Sequence, residues 1–241
     1  ITWVAEPTSA DRESVIEVDA KLKDLDPEFF YPPECSLSLK YVHGFCPGFP
    51  RVNGGHIICT AEDRLAYSVA AVIVLMDTRR QMTNKSVSTA KRQNEQAFFQ
   101  GHDKDVSAMA LHPNGTIIAS GQAGTDPTLC VWETKTSSSW PRTLRKLHLS
   151  NQIDIVSLSF AASGDILATA SAGDNRAVTI IDWRNNWVQH KVAAGAFAVQ
   201  NLKFILDDKP MRLRLFQFGD QHFGVWTLSG GKMTYQNGLF A

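Results

Sequence analysis

The sequence predicts an all-β protein assembled from about four copies of one unit of short antiparallel strands. Three observations predict it. Apolar residues alternate with polar ones in runs of strand length. Turn-forming residues separate those runs. The pattern then recurs at close to the roughly 40–45 residues of a propeller blade.

The clearest copy is Gly101 to Glu133, GHDKDVSAMALHPNGTIIASGQAGTDPTLCVWE. Val106, Ala108 and Ala110 alternate with outward positions. His112-Pro113-Asn114-Gly115 is a turn, because Pro fixes φ and Asn-Gly accepts positive φ. Thr116 to Ser120 is a second strand, and Thr128 to Trp132 a third. Three short strands bracketed by Gly-His and Trp-acidic are the signature of a WD-repeat blade. Asp154 to Asp182 has the same grammar, with Ser163-Gly164-Asp165 as its turn. Val199 to Leu228 is another copy, and Leu39 to Asp77 lies upstream. Aligning the Trp-Asp position gives Met76, Trp132, Ile181 and Trp226, with gaps of 56, 49 and 45 residues.

Blades are expected at about 37–78, 97–136, 147–185 and 189–231, with a basic insertion at 79–96. Residues 1–36 do not fit the repeat. Ser9 caps a predicted helix over Ala10 to Leu25, with Asp11 and Glu13 in its first turn. Val15, Val18, Leu22 and Leu25 share one face, which either packs on the first blade or docks a partner. Four such blades form an incomplete ring, so the remaining blades are expected in a longer parent chain. The chain begins with Ile1, and Gly238-Leu239-Phe240 reads as the start of a next blade.

Composition narrows the function classes. Hydrophobic residues at 44% and charged ones at 20% suit a water-soluble globular protein. Lys plus Arg balances Asp plus Glu at 24 each, so only local clusters bear on a charged partner. Cys35, Cys46, Cys59 and Cys130 form no CxxC pair, which fits reduced thiols in the cytoplasm better than a disulfide framework or a zinc site. No apolar run is long enough to span a bilayer, and no signal peptide is expected. No membrane association is expected.

The search for catalytic motifs returns nothing. GxSxG, the phosphate loop GxxxxGK[ST], GxGxxG before a helix and HExxH are all missing. The expectation is a non-enzyme without metal or other cofactor. His102, Ser120, Asp126 and Trp132 are read instead as a structural tetrad. In WD blades a hydrogen-bonded chain of His, Ser or Thr, Asp and Trp locks the strands, and here it orients a scaffold. The copy after it has Asn151-Gln152 in place of Gly-His and Ile181 in place of Trp. The last lacks Gly-His but keeps Asp220 and Trp226.

One charge cluster stands out. Arg79, Arg80, Lys85, Lys91 and Arg92 fall in a stretch with no anion, and Arg142, Arg145 and Lys146 sit in a similar connecting position. The stretch is either a solvated loop or a contact for an acidic polymer. It has no interleaved aromatics, so nucleic acid is not expected.

Several segments carry a family resemblance. Leu37-Ser38-Leu39-Lys40-Tyr41-Val42-His43-Gly44-Phe45, Arg51-Val52-Asn53 and Ala70-Ala71-Val72-Ile73-Val74-Leu75 resemble the LEYVHGY, RNN and AAVGVV segments of the echinoderm microtubule-associated protein-like (EMAP-like) family. Gly101-His102-Asp103-Lys104-Asp105-Val106 and Ala119-Ser120-Gly121-Gln122 resemble its GHDDDI and ATGQ. Val225-Trp226-Thr227-Leu228 with Gly238-Leu239-Phe240 beyond it is similar to its FWTL…GLF. The resemblance covers about residues 33–241. It implies a microtubule-associated, non-catalytic scaffold that binds tubulin or microtubules on the cytoplasmic cytoskeleton, with some members in a cilium or flagellum. The alternative from the residues alone is a general protein-interaction scaffold, such as a signalling adaptor, without tubulin affinity.

Overall fold

The computed structural model describes residues 2–6, 36–45, 57–78, 96–134, 141–173, 176–185, 187–194, 198–205, 212–220 and 222–238. The chain divides into two compact units, Ile1–His43 and Gly44–Ala241. The first holds a two-stranded antiparallel sheet in which β1 (Thr2–Glu6) pairs with β2 (Ser36–Tyr41). Residues 37–41, grouped with the first blade on sequence grounds, have β1 as their strand partner. The helix expected over residues 10–25 lies outside the described residues.

Among the described residues, the second unit contains four antiparallel sheets of four strands each. Sheet 1 is β3 (Ile57–Cys59), β4 (Arg64–Val69), β5 (Val72–Asp77) and β6 (Gln96–Phe99). Sheet 2 is β7 (Val106–Leu111), β8 (Ile117–Gln122), β9 (Thr128–Glu133) and β10 (Arg142–His148). Sheet 3 is β11 (Ile153–Phe160), β12 (Ile166–Ala172), β13 (Ala177–Asp182) and β14 (Trp187–Ala193). Sheet 4 is β15 (Val199–Ile205), β16 (Arg212–Gly219), β17 (His222–Ser229) and β18 (Lys232–Asn237). In each, consecutive strands pair, which is the meander of a propeller blade. The basic insertion joins β5 to β6 within sheet 1, since Ile73 lies opposite Phe99.

Register makes the repeat quantitative. Leu65 faces Met76, Ile118 faces Trp132, Leu167 faces Ile181 and Leu215 faces Trp226. The four residues aligned on sequence grounds therefore occupy one structural position. Because side chains alternate between sheet faces, each sheet has a front face carrying that position and a back face one residue out of phase. The back face of sheet 1 (Ala66, Ile73, Leu75) meets the front of sheet 2 (Ile118, Cys130, Trp132) in one apolar layer. Ala119, Leu129 and Val131 behind sheet 2 meet Leu167, Ile181 and Trp183 of sheet 3. Ala168, Ala170, Val178 and Ile180 behind sheet 3 meet Leu215 and Trp226 of sheet 4. Among the described residues the core is thus three inter-sheet layers, as expected of a fold in which each repeat buries its face only against its neighbours.

Small residues set the sheet spacing. A Cβ added at Gly121 would lie 2.5 Å from Ile155 Cγ2 of the next sheet. Serine hydroxyls tie the inner strands. Ser107 Oγ donates to the Ile155 carbonyl at 2.7 Å, and Ser157 and Ser159 Oγ accept from the backbone N–H of Leu202 and Phe204 at 2.9 and 3.0 Å. The turns also touch: Ala61 N–H donates to the Gly115 carbonyl at 2.9 Å. The expected turn at His112–Gly115 forms, closed by Gly115 N–H to the His112 carbonyl at 2.9 Å, with Gly115 at φ 75°.

Candidate functional site

Sheet 2 positions a buried polar chain. Trp132 at the end of β9 and Ser120 on β8 point to the same front face. The Trp132 indole Nε1–H donates to Ser120 Oγ at 3.1 Å. Ser120 Oγ lies 2.6 Å from His102 Nε2, and His102 Nδ1 lies 3.1 Å from Gln122 Oε1. Gln122 Nε2 donates to Asp103 Oδ1 at 2.8 Å. A carbonyl oxygen only accepts, so Nδ1 carries the imidazole proton and Nε2 accepts from the serine hydroxyl. Every donor then points one way, from the indole through serine, imidazole and amide to the carboxylate. Phe99 of β6 stacks on Trp132 with centroids 4.4 Å apart, covering the chain from sheet 1.

The electrostatics agree with that polarity. Burial pushes the His102 pKa down to about 4, against smaller opposing help from the Gln122 bond, so the ring is neutral at pH 7. The amide of Gln122 holds the Asp103 carboxyl below its ordinary value. Burial raises the neighbouring Cys130 thiol to about 11. Ser120 sits against a histidine, yet it is no nucleophile in this arrangement. The residue is 0% exposed and the Trp132 indole occupies a lone pair, so the hydroxyl is shut off from any substrate although His102 accepts its proton as a general base would.

Of the four residues expected in a tetrad, His102, Ser120 and Trp132 come together. Asp126 does not join them. Its Oδ1 accepts from the Asn151 backbone N–H at 2.7 Å, and its own N–H donates to the Gln152 carbonyl at 3.0 Å. The β8–β9 turn carries Asp126 out over the next connection, away from the imidazole. Gln122 and Asp103 fill its place at His102. Asp154, at the start of β11, mirrors it: its N–H donates to the Gly124 carbonyl at 3.0 Å, and its Oδ1 accepts from Gly124 N–H. Asp126, Asn151 and Asp154 all have positive φ, 47°, 59° and 45°. Asp and Asn tolerate that region better than other side chains bearing a Cβ. These bonds clasp the β8–β9 loop of sheet 2 to the connection leading into sheet 3.

The other sheets vary the polar chain. In sheet 4, Gln217 stands at the Ser120 position and accepts from the Trp226 indole at 2.8 Å. His222 Nε2 pairs with the Tyr235 hydroxyl at 2.6 Å. In sheet 3, Thr169 stands at that position with its buried Oγ1 unpartnered, while Gln152 Nε2 reaches Thr179 Oγ1 at 3.2 Å.

The cations divide into two groups. Arg79, Arg80, Lys85, Lys91 and Arg92 lie outside the described residues. Arg142, Arg145 and Lys146 lie on β10, the outer strand of sheet 2, and so belong to a blade, not to a connection between blades. Arg142 pairs with Glu133 at 3.1 Å. Arg145 donates from Nε and Nη2 to the Arg184 carbonyl at 3.1 and 3.0 Å, and Lys146 Nζ donates to the Gly101 carbonyl at 3.0 Å. Among the described residues no cluster of three or more His, Cys, Asp or Glu is placed to hold a metal.

Known proteins share this architecture and parts of the sequence. The family model "WD domain, G-beta repeat" matches residues 93–133, the segment that holds the polar chain. Human echinoderm microtubule-associated protein-like 2 is 27% identical over 219 residues, 86% of this chain and 30% of that protein. The 77 kDa echinoderm microtubule-associated protein of Strongylocentrotus purpuratus is 26% identical over 232 residues, 92% of this chain and 30% of that protein. The chain thus spans about a third of the length of these relatives. A chain in the crystal structure of the mitotic checkpoint complex shares the fold, with TM-score 0.56 and 19% identity over 76% of this chain and 50% of that one. Fold, repeat and sequence agree: the chain contains a WD repeat within a series of four-stranded sheets and is similar along most of its length to echinoderm microtubule-associated protein-like proteins.

Proposed function

We propose that the chain is a non-catalytic WD-repeat scaffold that associates with microtubules through tubulin. One observation carries the reading: the similarity to microtubule-associated proteins runs through all four sheets and is not confined to the single matched repeat. A stack of sheets tied by buried polar chains and interlocked loops is a rigid display surface, which supports a binding role. Arg79, Arg80, Lys85, Lys91 and Arg92 are proposed contacts for the acidic surface of such a polymer, with affinity that falls as salt rises. The proposed location is the cytoplasmic microtubule cytoskeleton. Residence in a cilium or flagellum is the finer proposal, tested by imaging the tagged protein against an axonemal marker.

The ring is proposed to continue in a longer chain. On the back face of sheet 4, Phe216, Phe218, Phe223 and Val225 occupy the register positions of Ala119, Gly121, Leu129 and Val131. Phe216 and Phe218 stack at 5.7 Å, and Phe218 is 44% exposed. A further sheet packed there would have to offset the extra bulk with small residues opposite. Co-sedimentation of the full chain with polymerised tubulin separates the microtubule reading from an adaptor without tubulin affinity. The adaptor stays in the supernatant at every salt concentration.

A further inference from the structure

The four outer strands, β6, β10, β14 and β18, carry Arg142, Arg145, Lys146, Lys191 and Lys232 and not one Asp or Glu. This segregation occurs in a chain whose charges balance overall. Three of these cations lie on the outer strands of sheets 2 and 3. Arg145 reaches from β10 to the Arg184 carbonyl of sheet 3, and Lys191 reaches back from β14 to the Ser150 carbonyl at 3.0 Å, so both line the outer seam between sheets 2 and 3. Lys146, opposite Cys130 in the register, points to the other face of β10 and donates to the Gly101 carbonyl. All three are exposed. The hydrogen bonds of Arg145 and Lys191 go to carbonyls, which fix the side chains in place without neutralising them, while Lys146 also feels the Asp103 carboxylate. An ordered cation without a carboxylate partner keeps its charge for an anion from outside and loses less side-chain freedom on binding it.

We propose that this outer rim, centred on Arg145, Lys146 and Lys191, binds an acidic polypeptide segment. The proposal rests on the microtubule-associated reading only for the identity of the protein that carries the segment. The rim itself is argued from charge and geometry. Edge cations have another use, which is to discourage edge-to-edge pairing of sheets. That use predicts an effect on self-association and none on a peptide.

The test is fluorescence anisotropy of a labelled decaglutamate peptide titrated with the full chain, at low and at raised salt. The triple variant Arg145→Ser, Lys146→Ser, Lys191→Ser is compared with Lys203→Ser, an exposed cation on the inner strand β15. Melting curves check that each variant is folded. The expected result is salt-sensitive binding that weakens about tenfold in the triple variant, the sum of three modest exposed pairings, and stays unchanged in Lys203→Ser. No binding, or equal binding by wild type and triple variant, overturns the proposal. So does a triple variant that self-associates with its peptide affinity intact. Co-sedimentation of the same proteins with microtubules keeps the two readings apart. If wild type binds the peptide and never pellets, the rim stands and the microtubule reading falls.

Discussion

Asp126 Oδ1 accepts a 2.7 Å hydrogen bond from the backbone N–H of Asn151, twenty-five residues along the chain and on the far side of β10. Both residues are left-handed, at φ 47° and 59°. The bond fastens the β8–β9 loop to the connection that feeds sheet 3. It gives an aspartate that sequence placed in a buried tetrad a different structural task.

Removing the clasp should cost stability in two separable parts. Asp126→Ala loses the acceptor and puts a Cβ residue with no local polar bond in the left-handed region, at about 1–2 kcal/mol. Asp126→Gly relaxes the backbone but still lacks the acceptor, and Asp126→Asn keeps both. The predicted order of urea midpoints is wild type, Asn, Gly, Ala. An alanine variant as stable as wild type would mean that the clasp contributes nothing.

His102 makes stability depend on pH. Its pKa is about 4 folded and 6.5 in the unfolded chain, so the unfolded state binds the proton first as pH falls. The contribution is complete above pH 6.5, declines as pH drops toward 4, and amounts to about 3 kcal/mol at most. Asp103 and Asp182, both held below their ordinary values, lose their contribution at still lower pH. Urea melts of wild type and His102→Asn at pH 7 and pH 5 isolate the histidine. The wild-type loss between these pH values should shrink in the variant, and equal losses would assign the effect elsewhere.

The same register position should respond oppositely in two sheets. Ser120→Ala strands the Trp132 indole N–H and His102 Nε2 in the core, at about 2–3 kcal/mol. Thr169→Val removes a hydroxyl that has no partner, so stability should hold or rise by about 1 kcal/mol. Chemical denaturation of the two single variants checks both signs. A costly Thr169→Val would mean that the hydroxyl is satisfied in solution.

Phe218 reports on whether another sheet packs against the back of sheet 4. Phe218→Cys in the full chain should be protected from a maleimide at least about tenfold relative to Val188→Cys, which is similarly exposed on β14. Mass spectrometry of the labelled peptides gives both rates in one sample. Equal rates would leave the back face of sheet 4 uncovered and count against a continuing ring.

The inner three strands of each sheet were legible as short apolar runs of strand length punctuated by turns such as Asn-Gly and Ser-Gly-Asp, with β8, β9, β12 and β13 buried on both faces. The outer strands were not. β10 reads RTLRKLH and is exposed along most of its length, so no buried face imposes alternation on it. For the same reason Arg142, Arg145 and Lys146 passed for a connection. Within the polar chain, His102, Ser120 and Trp132 were readable from the blade signature. Gln122 was within reach, since it lies two residues beyond Ser120 on the same strand face. Asp126 was misplaced because its spacing from Trp132 suits a tetrad, while a turn's path over a neighbouring sheet leaves no mark in local sequence.

Co-sedimentation tests the central claim most directly. The full chain is incubated with taxol-stabilised microtubules over a range of polymer concentrations, at low and at raised salt, and the bound fraction is measured in the pellet. The account predicts saturable pelleting at low salt that weakens as salt rises. A chain that remains in the supernatant at low salt, at every microtubule concentration, contradicts it.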